Sequence, residues 1–260
     1  ISLSDSQLLK TIRDITGHEI DRDLLEEWYL EKERLKILKA NIPAICINHQ
    51  IQGLNYLKVD NYSGLYEVME HMIKVHGITD FGFIRGRETS LDLAERYKAY
   101  REALLNNNVK IDADKTYSIP ACNFEHAYPF FNELVKSGKP IPKAIVCAND
   151  LVALAIIKVA EENNIKIPED LKVIGYDDIN VSSNVIPALT TVKNDAELAG
   201  AEAVKQLLGI SQKSEVLNIK SKAIIRHSCG CKTELGSTQK KFTLDVVSSM
   251  NKNEEFGTQI

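Results

Sequence analysis

Long apolar runs are missing from this chain of 260 residues. None approaches the roughly 18 residues a membrane helix needs, so the chain is not expected to span a bilayer. A surplus of positive charge is missing too. The 32 Lys and Arg stand against 36 acidic residues, for a net charge of -4. Gripping nucleic acid needs Lys and Arg to neutralise phosphates on some face. DNA contact is therefore expected only through a module absent from this chain. An even set of cysteines is also lacking. The five present are Cys46, Cys122, Cys147, Cys229 and Cys231. An odd number, three of them inside apolar segments, reads as reduced thiols in a cytoplasmic protein, not as a disulfide framework. No basic start followed by an apolar signal core is visible. The chain opens at Ile1 without Met, as a fragment of a longer product would.

Catalytic signatures are absent as well. No Gly-x-Ser-x-Gly, His-Glu-x-x-His or Gly-x-x-x-x-Gly-Lys occurs, so no enzyme and no cofactor are expected. His126 near Cys122 makes a pair of possible metal ligands without a third. Cys229-Gly230-Cys231 is tighter than the usual two-residue zinc spacing. It reads better as two small residues closing a strand, with a redox or metal role as the minor alternative. No metal site is expected.

What is present is ordinary globular composition, 44% apolar and 26% charged, in a chain long enough for one large domain or two lobes. Short β-rich runs alternate with longer helical stretches. Strands are expected at 43–48, 56–60, 81–85, 144–148, 172–176 and 190–193, with a last extended run over 216–227. Several are apolar nearly throughout, as in parallel sheets covered on both faces. Helices are expected over 63–75, 91–105, 127–135, from Asp150 to the Asn163-Asn164 stop, and from Asp195 through Leu208. Leu65, Val68, Met69 and Met72 recur at spacings of three and four. Residues 16–40 read as a charged helix with one apolar side. From Lys232 to Ile260 a polar tail is expected, with one short amphipathic helix around Phe242, Leu244, Val246 and Val247. The alternation predicts an α/β, doubly wound fold.

In such sheets, ligands sit outside the carboxyl ends of the strands. Those ends carry Asp60-Asn61-Tyr62-Ser63, Asn149-Asp150, Asp177-Asp178 and Lys193-Asn194-Asp195. A carboxylate accepting from two adjacent hydroxyls, with an amide beside it, suits a sugar-like polyol. Asp and Asn also cap helices at such turns. The cap role is at least as good for Asp150, Asp178 and Asp195; a pocket role gains for Asn149 and Asp177.

Three runs make the pattern specific: Ala148-Asn149-Asp150-Leu151-Val152-Ala153, then Ile167-Pro168-Glu169-Asp170 through Gly175-Tyr176-Asp177-Asp178, then Pro187-Ala188-Leu189-Thr190-Thr191. With Val59-Asp60-Asn61, Gly64, Glu95-Arg96-Tyr97 and Arg226-His227-Ser228, they keep their order from about residue 42 to 231. The chain resembles the effector domain of the LacI/GalR family. That resemblance implies two doubly wound lobes with parallel sheets, joined by three crossovers, and a small ligand in the cleft. By position, the first lobe would be 1–76 plus 194–221, incomplete at its N-terminus. The second would be 77–193 plus 222–231, with 232–260 a linker or tail. The resemblance places Tyr62, Ser63, Arg96, Asn149, Asp177 and Asn194 at the ligand, with Phe124 as an aromatic wall under a sugar ring. It implies a homodimer that senses a small effector and passes lobe closure to an attached output module. The ending Arg226-x-Ser228-Cys229-Gly230-Cys231 and the polar tail resemble LacI-type sensors fused ahead of signalling or AraC-type domains. An extracytoplasmic sugar-binding protein of a transport system is the alternative.

Overall fold

A computed structural model of the chain describes residues 36, 39, 43–48, 52–86, 91–210 and 216–232. In chain order the described elements are β1 (Ile45–Ile47), β2 (Asn55–Val59), α1 (Ser63–Lys74), β3 (Phe81–Arg85) and α2 (Leu91–Asn106). They continue with β4 (Thr116–Ser118), α3 (Phe124–Lys136), β5 (Ala144–Cys147), α4 (Asp150–Glu162) and β6 (Lys172–Ile174). The last are β7 (Thr191–Lys193), α5 (Ala196–Leu207), β8 (Val216–Ile219) and β9 (Lys222–Ile224). The charged helix expected over 16–40 lies outside the described residues apart from Lys36 and Lys39, and the polar tail lies outside them beyond Lys232.

The chain divides into two compact units, one of residues 1–58 and 200–217, the other of residues 59–199 and 218–260. In the first, β1 and β2 pair in parallel, with Ile45 opposite Asn55. The second is built on a four-stranded sheet in the order β4-β3-β5-β6, and its pairs are all parallel. The period-two alternation of a strand sorts its side chains to two cores. Phe81, Phe83, Ala144, Val146 and Ile174 face Leu65, Val68, Met69 and Met72 of α1 and Tyr100 and Leu104 of α2. Ile84, Ile145, Cys147 and Val173 face Phe131 of α3 and the apolar length of α4. Helices on both faces explain why β3 and β5 are almost wholly apolar. No helix among the described residues is long and apolar enough to cross a membrane.

The expected alternation is observed, with three differences. Thr116–Ser118 is a strand, pairing Thr116 with Phe83, but three partly polar residues at a sheet edge make no pattern in the sequence. The long last run breaks at Lys220-Ser221 into β8 and β9, and β9 turns antiparallel onto β7. Helix α1, which the boundary at residue 76 assigns to the first lobe, packs in the second unit, on α2, β7 and β9.

Of two expected caps, one is observed and one is not. Asp195 caps α5, accepting from the Leu198 amide at 3.0 Å. Asp150 does not cap α4; Asn149 does, its Oδ1 accepting from the Val152 amide at 3.0 Å. Asp150 is instead 0% exposed and accepts from Ser182 Oγ (2.6 Å), Thr191 Oγ1 (2.5 Å) and the Ile179 amide (3.0 Å). This carboxylate ties β7 and the loop after β6 to the start of α4. Gly175 makes room for it. A Cβ there would lie 2.1 Å from Asp150 Oδ1 and 2.9 Å from Leu189 Cδ2. Gly175→Ala is expected to lower stability by about 3 kcal/mol, since overpacking a closed site forces backbone shifts. A urea-unfolding midpoint measures it.

Candidate polar ligand site

The second unit gathers strand-end side chains around one guanidinium. Arg96, in the second turn of α2, is 8% exposed. Its Nε donates to Asn61 Oδ1 at 3.0 Å, Nη1 to the Ala148 carbonyl at 2.7 Å and Nη2 to Asp177 Oδ1 at 3.3 Å. Its Cζ stands 3.7 Å from the centre of the Tyr176 ring. Polar contacts from three directions and an aromatic floor hold the fork in one orientation.

Each partner is itself held. Asn61, 1% exposed, donates to Asp92 Oδ1 at 3.0 Å. Tyr176 OH lies 3.2 Å from the Asp60 carbonyl and 3.3 Å from Asn194 Oδ1. Asn194 Nδ2 in turn reaches Asp177 Oδ1 at 3.5 Å. Asp60 Oδ1 accepts from the amides of Tyr62 (2.8 Å) and Ser63 (3.0 Å). Burial pushes the Asp60 carboxyl up, but its hydrogen bonds from Ser63, Tyr62 and Ser221 prevail and it titrates below its ordinary value.

Asp177 is the group that faces outward. Its side chain is 37% exposed while Arg96 beside it is 10% exposed. Burial pushes this carboxyl above its ordinary value, Arg96 pulls it back and Asp92 pushes it further up. Its backbone sits at φ 107, and Asp178 follows at φ 52. Non-glycine residues in this region cost of order 1–3 kcal/mol each and persist only where the surroundings enforce them. Here the Asp177 amide donates to the Val192 carbonyl at 2.8 Å. Asp178 pairs with Arg226 at 2.6 Å, both 16% exposed. The sharp turn aims Asp177 at Arg96 and Asp178 the other way.

Of the residues expected at a ligand, Arg96, Asp177 and Asn194 are thus in direct contact. Ser63 is exposed beside Asp60. Tyr62 leans away, donating to Glu102 Oε2 at 2.6 Å and stacking on Tyr66 at 5.6 Å. Asn149, besides capping α4, donates to the Cys122 carbonyl at 2.7 Å. Phe124 is 8% exposed, in the core, with its ring 5.9 Å from Tyr128. Sequence reasoning passed over Asn61 and Tyr176 as site residues. Both belong to the motifs that carry the family resemblance, but nothing local shows that they brace Arg96. The Arg226-His227-Ser228 motif has a structural task. Ser228 Oγ donates to the Val173 carbonyl at 2.6 Å and accepts from the Thr190 amide at 2.8 Å, pinning the last described segment to β6.

The chain spans about half the length of the curated relatives it matches. It is 31% identical over 175 residues to the transcriptional repressor PurR of Pasteurella multocida, covering 65% of this chain and 51% of that one. It is 27% identical over 182 residues to the probable transcriptional repressor ExuR of Bacillus subtilis, covering 69% and 54%. Among solved structures, the transcriptional regulator CelR in complex with cellobiose superposes with a TM-score of 0.63 at 25% identity, over 74% of this chain and 60% of that one. A LacI-family regulatory protein from Chloroflexus aggregans superposes at 0.66 and 21% identity, over 88% and 84%. The periplasmic binding protein-like domain profile matches residues 70–229. By that match the chain belongs to the periplasmic binding protein-like domain family, and LacI-family regulators are among the solved structures that share its fold.

Proposed function

We propose that this chain is the ligand-sensing effector domain of a LacI-type regulator and takes a small polar metabolite, a sugar, at the Arg96–Asp177 cluster. The observation that carries the reading is a nearly buried guanidinium locked beside a partly exposed carboxylate whose backbone is held at φ 107. A carboxylate accepts from two neighbouring hydroxyls, and a guanidinium fork donates to ring or hydroxyl oxygens. Because both are already fixed, little side-chain freedom is lost on binding. Asn194 and Ser63 supply further polar atoms.

Signalling needs no chemical step. A ligand that favours one arrangement of a two-lobed domain shifts the population toward it by its differential affinity. The change is passed to an attached output module, in a cytoplasmic homodimer whose DNA contact is made by a separate domain. The cellobiose in the CelR complex supports a saccharide, and the regulators among the relatives support sensing over transport. Calorimetric titration against mono- and disaccharides, cellobiose included, tests this. One saccharide is expected to bind one to one, and Asp177→Asn to weaken it about 30-fold or more by leaving Arg96 poorly matched. Undiminished binding in Asp177→Asn removes the site assignment.

A further inference from the structure

A second convergence lies in the same unit, away from the polar cluster. His71 sits in the last turn of α1, which ends at Lys74 with Val75 as its C-cap. Gly77, at φ 64, turns the chain, and the His71 and His76 rings meet edge to face with centroids 5.0 Å apart and Nε2 atoms 3.2 Å apart. From the other end of the sequence, Cys229 closes a short 3-10 turn, and Gly230 at φ 105 reverses the backbone. Cys231 Sγ thereby comes 3.2 Å from His71 Nε2 and 3.4 Å from His76 Nε2. Cys229 Sγ, fully buried, lies 4.0 Å from His71 Nε2. All four donor atoms lie within 4.8 Å of one another.

Tetrahedral zinc bonds sulfur at about 2.3 Å and imidazole nitrogen at about 2.0–2.1 Å. These lengths place ligand atoms about 3.3 Å apart for two nitrogens, about 3.6 Å for nitrogen and sulfur and about 3.8 Å for two sulfurs. The four observed separations, 3.2, 3.2, 3.4 and 4.0 Å, scatter around these values. A network of hydrogen bonds alone accounts for this less well, because both Nε2 atoms converge on each other and on one sulfur. Each ring nitrogen and each thiol carries at most one proton to share. Gly230 adds a second observation. Its φ of 105 is one that L side chains rarely adopt, so glycine is the residue that lets the Cys-x-Cys backbone reverse here and bring both sulfurs to the histidines.

We propose that His71, His76, Cys229 and Cys231 bind a structural zinc ion. On binding, the two thiols lose their protons to solvent, and the two thiolates balance the charge of Zn²⁺. Two thiolates with two imidazoles select zinc over magnesium or calcium, which prefer oxygen. Four protein ligands leave no place for a reactive water, so the role is structural. The ion staples the end of α1 to the segment from which residue 232 leaves the domain. This replaces the expectation that Cys229 and Cys231 merely close a strand.

The test uses the whole chain, zinc-loaded, gel-filtered against a competing chelator and measured by elemental mass spectrometry. One zinc per chain is expected. Cobalt substitution is expected to give thiolate-to-cobalt charge transfer and the intense visible bands of a tetrahedral ion. His76→Ala and Cys231→Ser, both at half-buried positions, are expected to bind at least about 100-fold more weakly, since losing a direct ligand costs no less than losing its support. Cys122→Ser is expected to bind as the parent does. Zinc content equal in His76→Ala, Cys231→Ser and the parent overturns the proposal. A cobalt spectrum without thiolate charge transfer in the parent overturns it too, even if a variant fails to fold.

Discussion

Arg96→Met is expected to lower stability by about 2–4 kcal/mol and weaken the effector at least about 100-fold. The stability loss comes from what is left behind. Asn61 Oδ1 and the Ala148 carbonyl lose a charged donor, and Asp177 loses its ion-pair partner. Removing one member of a fully buried pair costs about 3–5 kcal/mol. The lower range applies because the Asp177 side chain is 37% exposed and water still reaches it. Arg96→Lys keeps the charge but not the fork, so it is expected to recover part of the stability and little of the binding. Urea-unfolding midpoints and calorimetry read the two effects separately. A midpoint unchanged in Arg96→Met would show that Arg96 does not organise the cluster.

The second large effect concerns pH. Burial pushes the Asp150 carboxyl up to about 6, against the lowering pull of its bonds from Ser182, Thr191 and Ile179; its ordinary value is 3.8. The folded state therefore keeps a proton that the unfolded chain releases near pH 4. Between these values the folded state binds more protons, so stability falls as pH rises and levels off above pH 6. About two pH units at about 1.4 kcal/mol each make this roughly 3 kcal/mol. Asp177 is shifted up and adds to the trend, whereas Asp60 is shifted down and opposes it. The contribution of Asp150 is therefore read as the difference between the parent and Asp150→Asn, which does not titrate. Unfolding curves at intervals from pH 4 to 7 are expected to diverge in the variant's favour toward pH 6. Parallel curves would mean that Asp150 is not held protonated. Asp150→Ala is a separate expectation: three donors, two of them buried, lose their acceptor, at a cost of about 3–5 kcal/mol.

The sequence by itself determined the alternation of strands and helices, because apolar spacing reports which faces must leave water. Phe81 to Arg85 and Ala144 to Cys147 read as strands buried on both faces, and the two cores are found there. It placed Asp177 and Asn194 at strand ends, and reached Arg96 only through the resemblance to the LacI/GalR family. It could not sort Asn149 from Asp150. Both residue types cap helices, and only the path of the chain after Gly175 decides which side chain points into α4 and which into the loop. It could not show that Asn61 and Tyr176 brace Arg96, since those contacts join residues 35 and 80 positions apart. The metal-ligand quartet was hidden most completely. His71-x4-His76 has a spacing that zinc sites use, but Cys229-Gly230-Cys231 is tighter than usual, and the two pairs lie more than 150 residues apart. Local pattern reports burial because burial is periodic along the chain, whereas ligand geometry belongs to the distances at which separate segments close on each other.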